Sequence, residues 1–109
     1  MNILYIQSSH TSPEVRLNSV EKILNLKGRS SPENSIDFYQ KIYDSVDQYF
    51  ISQKSLTLNV MFEYFNTSSS KCLFVLFRKL KKYEEHGHDI TINWYYEEYD
   101  EDMMELDKR

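Results

Sequence analysis

The chain has few of the residues that build metal centres, disulfides and phosphate-binding loops. Its 109 residues include one cysteine, two glycines and two prolines. The single cysteine, Cys72, excludes an intramolecular disulfide and a zinc site built from cysteines, and such a composition is typical of a reducing compartment. With glycine only at Gly28 and Gly87, the chain has neither a glycine-rich phosphate loop nor a glycine-flanked nucleophilic serine. We therefore predict a protein that is not an enzyme and carries no cofactor.

Long hydrophobic runs and an excess of basic residues are also missing. No apolar run approaches the roughly 20 residues that a membrane span needs, and the N-terminus lacks the basic and apolar regions of a signal peptide. The formal net charge is −4, whereas a surface that follows nucleic-acid phosphates normally has a basic excess. These absences predict a cytoplasmic protein without membrane insertion and without nucleic acid as its main partner.

Large apolar side chains are abundant. Hydrophobic residues make up 40% of the chain and aromatic residues 15%, which is enough to order a core without metal or disulfides. The length fits one domain over residues 1–109. Residues 1–12 are expected to be an N-terminal extension or a short first strand, and residues 97–109 form an acidic C-terminal segment.

Hydrophobic periodicity predicts most of the secondary structure. Alternating residues predict a hairpin over 14–26 with its turn at Asn18-Ser19, and strands over 56–65 and 89–96. On the strand 56–65, Tyr64 falls on the apolar face. Spacings of three and four residues predict one helix ending near residue 52 and another over 69–85. For the first helix, Ser31 is the expected cap, Pro32 the first helical residue, and Ser30 with Glu33 a capping box.

The order of these elements predicts the architecture. Strand, strand, helix, strand, helix and strand are followed by a short terminal helix that Asp100-Glu101-Asp102 would open. Each strand-helix-strand step needs a right-handed crossover between parallel strands. We therefore expect an α/β fold of the α+β kind, with a mixed sheet of four to five strands and helices mainly on one face.

Four consecutive hydroxyl side chains occupy the joint between the strand 56–65 and the helix 69–85. They are Thr67, Ser68, Ser69 and Ser70, and Asn66 precedes them. A phosphate on Thr67 or Ser68 would lie at a helix N-terminus, where free N–H groups and the helix dipole favour an anion. The alternative is that Asn66, Thr67 or Ser68 only caps the helix. On the residues alone, capping is favoured over modification.

The outer face of the helix 69–85 is a candidate partner-binding surface. In helical projection Phe74 falls off the apolar stripe, as Val75 does, among Lys71, Arg78 and Lys82. Apolar residues among cations fit a protein-binding surface. The alternative, that another element covers Phe74, has equal support from the sequence.

Two histidines and the acidic segment suggest a second class of function. In this alternative the chain is a small metal-dependent enzyme or a ligand-binding domain. His86 and His88 flank Gly87, the expected left-handed residue at the helix end. No further ligand follows them at a fixed spacing, and the acidic segment lacks the glycine of a calcium loop. We predict no metal site, and histidines that cap the helix.

Three separate motifs resemble the SiaC family of regulatory phosphoproteins. The motifs are Gly28-Arg29-Ser30-Ser31-Pro32-Glu33-Asn34 followed by Phe38-Tyr39, then Tyr64-Phe65-Asn66-Thr67-Ser68-Ser69-Ser70-Lys71, then Asn93-Trp94-Tyr95-Tyr96 running into Asp100-Glu101-Asp102. The resemblance extends from about residue 11 to residue 106, with the motifs in the family's order.

This resemblance implies a fold similar to the STAS domains of anti-sigma factor antagonists. It implies that Thr67 is phosphorylated by a dedicated Ser/Thr kinase and dephosphorylated by a PP2C-type phosphatase. From the residues themselves, Ser68 is the alternative acceptor. It further implies that the unphosphorylated protein binds and activates a diguanylate cyclase, and so controls cyclic di-GMP. The alternative within the same fold is an anti-sigma factor antagonist.

Overall fold

In the computed structural model, residues 2–95 are described, and they form one five-stranded sheet with two helices. The elements are β1 (Asn2–Ile6), β2 (Glu14–Asn18), β3 (Ile23–Ser30), α1 (Ser35–Tyr49), β4 (Ser55–Phe65), α2 (Thr67–Glu85) and β5 (Asp89–Tyr95). The acidic segment 97–109 and its predicted short helix lie outside the described residues. No helix within residues 2–95 is long and apolar enough to cross a membrane.

The sheet is mixed, as predicted. Its strand order is β1-β2-β3-β4-β5, with antiparallel pairing of β1 to β2 and of β2 to β3. The pairs β3–β4 and β4–β5 are parallel. Because right-handed crossovers in the same direction place their helices on the same side, α1 and α2 share one face of the sheet and contact each other. The carboxyl ends of β3, β4 and β5 meet at one edge.

The core lies between the sheet and the two helices. The alternating residues of β2, β3 and β4 supply one wall, and the apolar stripes of α1 and α2 supply the other. The fully buried side chains include Val15, Leu17, Leu24, Leu26, Leu58, Val60, Tyr39, Ile42, Val46, Leu76 and Leu80.

The other face of the sheet carries a row of asparagines. Asn25, Asn59 and Asn93 are in register on β3, β4 and β5. The Asn93 side-chain amide donates to Asn59 Oδ1 at 3.0 Å, and the Asn59 amide donates to Asn25 Oδ1 at 2.9 Å. Side-chain amides therefore pair the three parallel strands in addition to their backbones.

The predicted start of α1 was wrong. β3 continues through Ser30, so Ser30 and Ser31 do not cap the helix and Pro32 is not its first residue. Asn34 is the cap, and its side chain accepts the N–H of Asp37 at 3.1 Å. The extra strand residues have partners on β4, since Ser30 pairs with Phe65. Strand pairing thus decided a boundary that a local capping pattern assigned incorrectly.

The position of Tyr64 was also predicted incorrectly. The register between β3 and β4 shifts at Gly28 and Arg29, and Gly28 has a φ of 113°, which side-chain-bearing residues rarely adopt. Beyond the shift, Phe65 packs against the core while Tyr64 is exposed.

The hairpin turn is longer than predicted. β3 begins at Ile23, and Val20, expected in the strand, is 75% exposed in the turn. Lys22 has a φ of 60° there.

Replacing Asn59 should destabilise the fold more than replacing either of its neighbours. Asn59→Ala leaves a donor on Asn93 and an acceptor on Asn25 unpaired, for an expected loss of about 1–2 kcal/mol. Asn25→Ala and Asn93→Ala each leave one group unpaired. Urea denaturation of the three variants measures the difference, and equal losses would show that the row is not cooperative.

Candidate functional site: the β4–α2 turn

The turn between β4 and α2 is capped by Asn66. Its Oδ1 accepts the N–H of Ser69 at 2.8 Å, and its carbonyl accepts the N–H of Ser70 at 3.0 Å. α2 begins at Thr67 rather than near Ser69 as predicted. Because Asn66 is the cap, neither Thr67 nor Ser68 is needed for that role.

The structure separates the four hydroxyl groups into two kinds. Ser69 is fully buried, and Ser70 Oγ donates to the carbonyl of Thr67 at 2.7 Å. Thr67 and Ser68 are exposed, and their hydroxyls make no hydrogen bond to any other group in residues 2–95. Thr67 and Ser68 are therefore the two hydroxyls accessible to a modifying enzyme.

A chain of buried hydroxyls lies beneath the turn. Ser69 Oγ donates to the Ser30 carbonyl at 2.8 Å, so it accepts the bond from Ser30 Oγ, also at 2.8 Å. Each hydroxyl has one proton, so Ser30 Oγ in turn accepts from Tyr39 Oη at 2.7 Å. Burial raises the pKa of Tyr39 to about 12, which keeps this first donor protonated.

This chain of hydroxyl groups, which we name the relay, joins three elements at the start of α2. Tyr39 belongs to α1, Ser30 ends β3, and Ser69 lies in the first turn of α2. The Ser30 carbonyl also accepts the N–H of Asn66 at 3.0 Å. This role of Ser30 and Ser69 was not predicted from the sequence. The available signal was that Ser69 projects onto the same helix face as Leu73, Leu76 and Leu80.

The exposed face of α2 forms a continuous surface that begins at the turn. We name it the α2 strip, and it consists of Thr67, Lys71, Phe74, Val75, Arg78 and Lys82. At 3.6 residues per turn these side chains fall within an arc of about 100°. Phe74 is 44% exposed and Val75 41%. Within residues 2–95 no other element covers Phe74, which decides between the two alternatives that the sequence left open.

Aromatic rings connect the α2 strip to β5. Phe74 contacts Phe77 edge to face with ring centroids 6.4 Å apart, and Phe77 contacts Trp94 at 6.2 Å. Trp94 also contacts Phe65 at 5.7 Å. Phe65 is the last residue of β4, so this cluster supports both the strip and the turn.

The three motifs singled out in the sequence converge on this edge of the sheet. Gly28 and Ser30 lie in β3, Asn66 in the turn and Trp94 in β5. The Arg29 guanidinium lies over the Tyr64 ring, 4.9 Å from its centroid. Ser31 donates its N–H to the Thr11 carbonyl at 2.7 Å, while Pro32 and Glu33 connect it to Asn34. The parallel arrangement of β3, β4 and β5 brings their ends together.

The histidines lie at the opposite end of α2. His86 Nδ1 donates to the Lys82 carbonyl at 2.7 Å and His88 Nδ1 to the Tyr83 carbonyl at 3.1 Å. Both histidines thus bond the last helical carbonyls, and Gly87 has the expected positive φ, of 95°. Among residues 2–95, no group of three His, Cys, Asp or Glu side chains is placed to hold a metal. The acidic segment of the metal hypothesis is outside the described residues.

A cavity of about 330 Å³ lies beside the histidines. It is lined by Asp47, Lys79, Lys82, Tyr83, His86 and His88. Burial would raise the pKa of Asp47, but hydrogen bonds from Lys79 at 2.8 Å and Tyr83 at 2.6 Å outweigh it and lower that pKa. These bonds tie α1 to α2, so the polar groups here serve the helix interface.

Comparisons with known proteins agree on one family. A family model described as SiaC family regulatory phosphoprotein matches residues 6–109. An uncharacterised protein of Pseudomonas aeruginosa strain UCBPP-PA14 is 27% identical over 107 residues, covering 97% of this chain and 85% of the relative.

Solved structures show the same fold. The crystal structure of apo-SiaC from Pseudomonas aeruginosa matches with a TM-score of 0.85 and 23% identity, over 97% of this chain and 92% of that one. The crystal structure of the diguanylate cyclase SiaD in complex with its activator SiaC, from the same organism, matches with a TM-score of 0.89 and 25% identity. That match covers 96% of this chain and 87% of the other.

Replacing Ser69 should weaken the fold, whereas replacing Ser68 should not. Ser69→Ala leaves the buried Ser30 hydroxyl without an acceptor, and we expect a loss of about 1–3 kcal/mol in the free energy of unfolding. The matched control Ser68→Ala removes an exposed hydroxyl from the same helical turn. Chemical denaturation measures both, and a neutral Ser69→Ala would contradict the relay. Tyr39→Phe combined with Ser69→Ala should lose less than the sum of the single changes.

Proposed function

Because the chain belongs to the SiaC family of regulatory phosphoproteins, we propose that it is a non-enzymatic adaptor switched by phosphorylation of Thr67, with Ser68 as the alternative acceptor. The observation that carries the proposal is the position of Thr67. Its hydroxyl is exposed at the first residue of α2 and makes no hydrogen bond within residues 2–95. It lies on the helix face that also presents Lys71 and Phe74.

A phosphate at Thr67 is compatible with the fold. The N–H groups of Thr67 and Ser68 have no intrahelical acceptor, because they lie in the first turn, and the helix dipole favours an anion there. Lys71 follows one helical turn later on the same face, where it can pair with the phosphate. The buried relay through Ser30 and Ser69 does not use the Thr67 hydroxyl.

The same phosphate would change what the α2 strip can bind. Phosphorylation adds roughly two negative charges to a surface whose charged members, Lys71, Arg78 and Lys82, are all cationic. A partner that binds this surface through apolar and acidic groups would lose its charge attraction. Phosphorylation therefore releases the partner.

The partner we propose is a diguanylate cyclase, which the unphosphorylated protein binds and activates in the cytoplasm. Support comes from the likeness to the SiaC chain that is described as the activator of the cyclase SiaD. A Ser/Thr kinase would phosphorylate Thr67 and a PP2C-type phosphatase would reverse the modification. In this scheme the chain controls cyclic di-GMP synthesis without catalysing a reaction.

Phosphorylation should depend on Thr67. With the cognate kinase and ATP, wild type and the matched variant Ser68→Ala should gain one phosphate by mass spectrometry, and Thr67→Ala should gain none. The phosphoprotein should bind the cyclase at least about tenfold more weakly in calorimetry, which corresponds to about 1.4 kcal/mol. Equal affinities of the modified and unmodified proteins would rule out the switch.

Phe74→Ala should weaken cyclase binding with little effect on stability. Truncation of an exposed aromatic residue at an interface typically costs about 1–2 kcal/mol of binding energy, while its 44% exposure limits the loss in the fold. Ile36→Ala is the matched control, because Ile36 is 73% exposed on α1 and lies outside the strip. Calorimetry and thermal melting give the two quantities, and a large fall in melting temperature would place Phe74 in the core.

A further inference from the structure

β5 is an edge strand of the sheet, with β4 as its neighbour on one side. Charged residues, prolines and bulges usually keep such edges from pairing with another chain. The other edge strand, β1, has a register shift between Asn2 and Leu4. β5 keeps an unbroken register with β4 over its seven residues, and residues 90–95 contain no charged residue and no proline. β5 therefore has the features of an edge that pairs with another strand.

The outward backbone groups of β5 belong to alternate residues. Asp89 donates its N–H to the Lys54 carbonyl at 2.9 Å, so Asp89 faces β4. In a parallel pair, one residue directs its N–H and C=O to the neighbouring strand and the next directs both away. Ile90, Ile92 and Trp94 therefore present their N–H and C=O groups at the outer edge. The described part of the chain supplies no strand to bond them.

The side chains of the same three residues lie on the face of the sheet that the helices cover. Ile90 and Trp94 pack against the core, and the Phe77 ring of α2 contacts Trp94 with centroids 6.2 Å apart. Ile92 lies between them in the strand and is 42% exposed. The middle of this edge is therefore an apolar side chain that the core covers only in part.

The opposite face of β5 carries a hydroxyl donor and an amide acceptor. The Asn93 amide nitrogen donates to Asn59 Oδ1 at 3.0 Å, whereas Asn93 Oδ1 accepts no hydrogen bond from the described residues. Thr91 is exposed on the same face, and its hydroxyl makes no hydrogen bond within residues 2–95. A hydroxyl can donate and an amide oxygen can accept, so these two groups complement each other across a strand pair.

We propose that two copies of this chain pair through β5, as antiparallel strands related by a two-fold axis at Ile92. In this register Ile92 faces Ile92 of the second copy, and Ile90 faces Trp94, so apolar side chains meet on one face. On the other face Thr91 lies opposite Asn93, where its hydroxyl donates to the free Oδ1. The outward N–H groups of each copy donate to the outward carbonyls of the other.

The edge fits a second copy because it complements itself. A two-fold contact requires a patch that matches its own image. β5 has the hydroxyl donor and the amide acceptor on either side of Ile92, and antiparallel pairing about Ile92 brings each donor opposite an acceptor. The charged residue of β5, Asp89, faces Tyr95, so no like charges meet across the strand pair.

The position of the axis follows from the length of the strand. With the axis at Ile92, residues 89–95 of one copy face the same residues of the other in reverse order, and every outward residue has a partner. With the axis at Thr91 or at Asn93, one outward residue of each copy faces a position outside β5. Because each copy has one β5 edge, the association closes at the dimer.

Sedimentation of the full-length chain tests the pairing. Wild type should sediment as a dimer that dissociates on dilution. Ile92→Lys and Ile92→Glu each place two like charges at the axis, so each variant alone should associate at least about tenfold more weakly. An equimolar mixture of the two variants places opposite charges there and should recover the dimer, which also shows that both variants fold.

Cysteine cross-linking tests the register. At the axis, the two copies of residue 92 are a hydrogen-bonded pair with Cα atoms about 5.5 Å apart, which lies within the range of a disulfide. Ile92→Cys should therefore cross-link under mild oxidation. The matched control Ile90→Cys should not, because its two copies are four residues apart along the strands, about 14 Å. The native Cys72 is buried and is common to both variants.

Four results would overturn the pairing. They are a wild type that stays monomeric up to about 1 mM, charged variants that associate as wild type does, a mixture that does not recover the dimer, and cross-linking of Ile90→Cys as fast as Ile92→Cys. A monomeric wild type whose cyclase binding is lost in both charged variants would assign the edge to a strand of that partner instead. Sedimentation and cross-linking use neither kinase nor cyclase, so they are independent of the Thr67 switch.

Discussion

The start of α2 depends on two hydrogen bonds that the Ser30 carbonyl oxygen accepts. This oxygen accepts the N–H of Asn66 at 3.0 Å and the hydroxyl of Ser69 at 2.8 Å. The Ser69 hydroxyl in turn accepts from Ser30 Oγ, which accepts from Tyr39. Each hydroxyl proton in this buried relay has an acceptor. The turn is therefore held by hydrogen bonds between uncharged groups, and removing an acceptor would leave a buried donor unpaired.

This constraint explains how a run of four hydroxyls can serve two purposes. Ser69 and Ser70 are used by the structure, one in the relay and one on the carbonyl of Thr67. Thr67 and Ser68 are left exposed above this buried relay. The proposed modification at Thr67 would therefore act on the surface of α2 without breaking the contacts that position the helix.

The parallel half of the sheet brings the functional elements together. β3, β4 and β5 end at one edge, so Ser30, the turn and Trp94 become neighbours although they are far apart in the chain. The aromatic cluster of Phe65, Phe77 and Trp94 then links the turn to the α2 strip. The proposed acceptor and the proposed partner surface thus lie on one side of the molecule.

The sequence by itself determined the strands and helices that show a regular hydrophobic periodicity. The alternation of β4, the stripe of α2 and the order of the elements predicted the mixed sheet, because burial on one face repeats with the period of the backbone. They left open whether Phe74 is exposed. Local capping patterns were less reliable. Ser31 and Pro32 resemble a helix start, yet pairing with β4 extends β3 through Ser30, and Asn34 caps α1.

Only the tertiary structure decided which of the four hydroxyls are buried and bonded and which are exposed. Thr67, Ser68, Ser69 and Ser70 are chemically similar neighbours, and their roles differ because Ser69 alone points towards Ser30 and Tyr39, residues distant in the chain. The register shift that turns Tyr64 outwards and Phe65 inwards likewise arises between strands. Contacts between distant segments leave no periodic trace in a single sequence, and for that reason the sequence indicated the turn but not the relay beneath it.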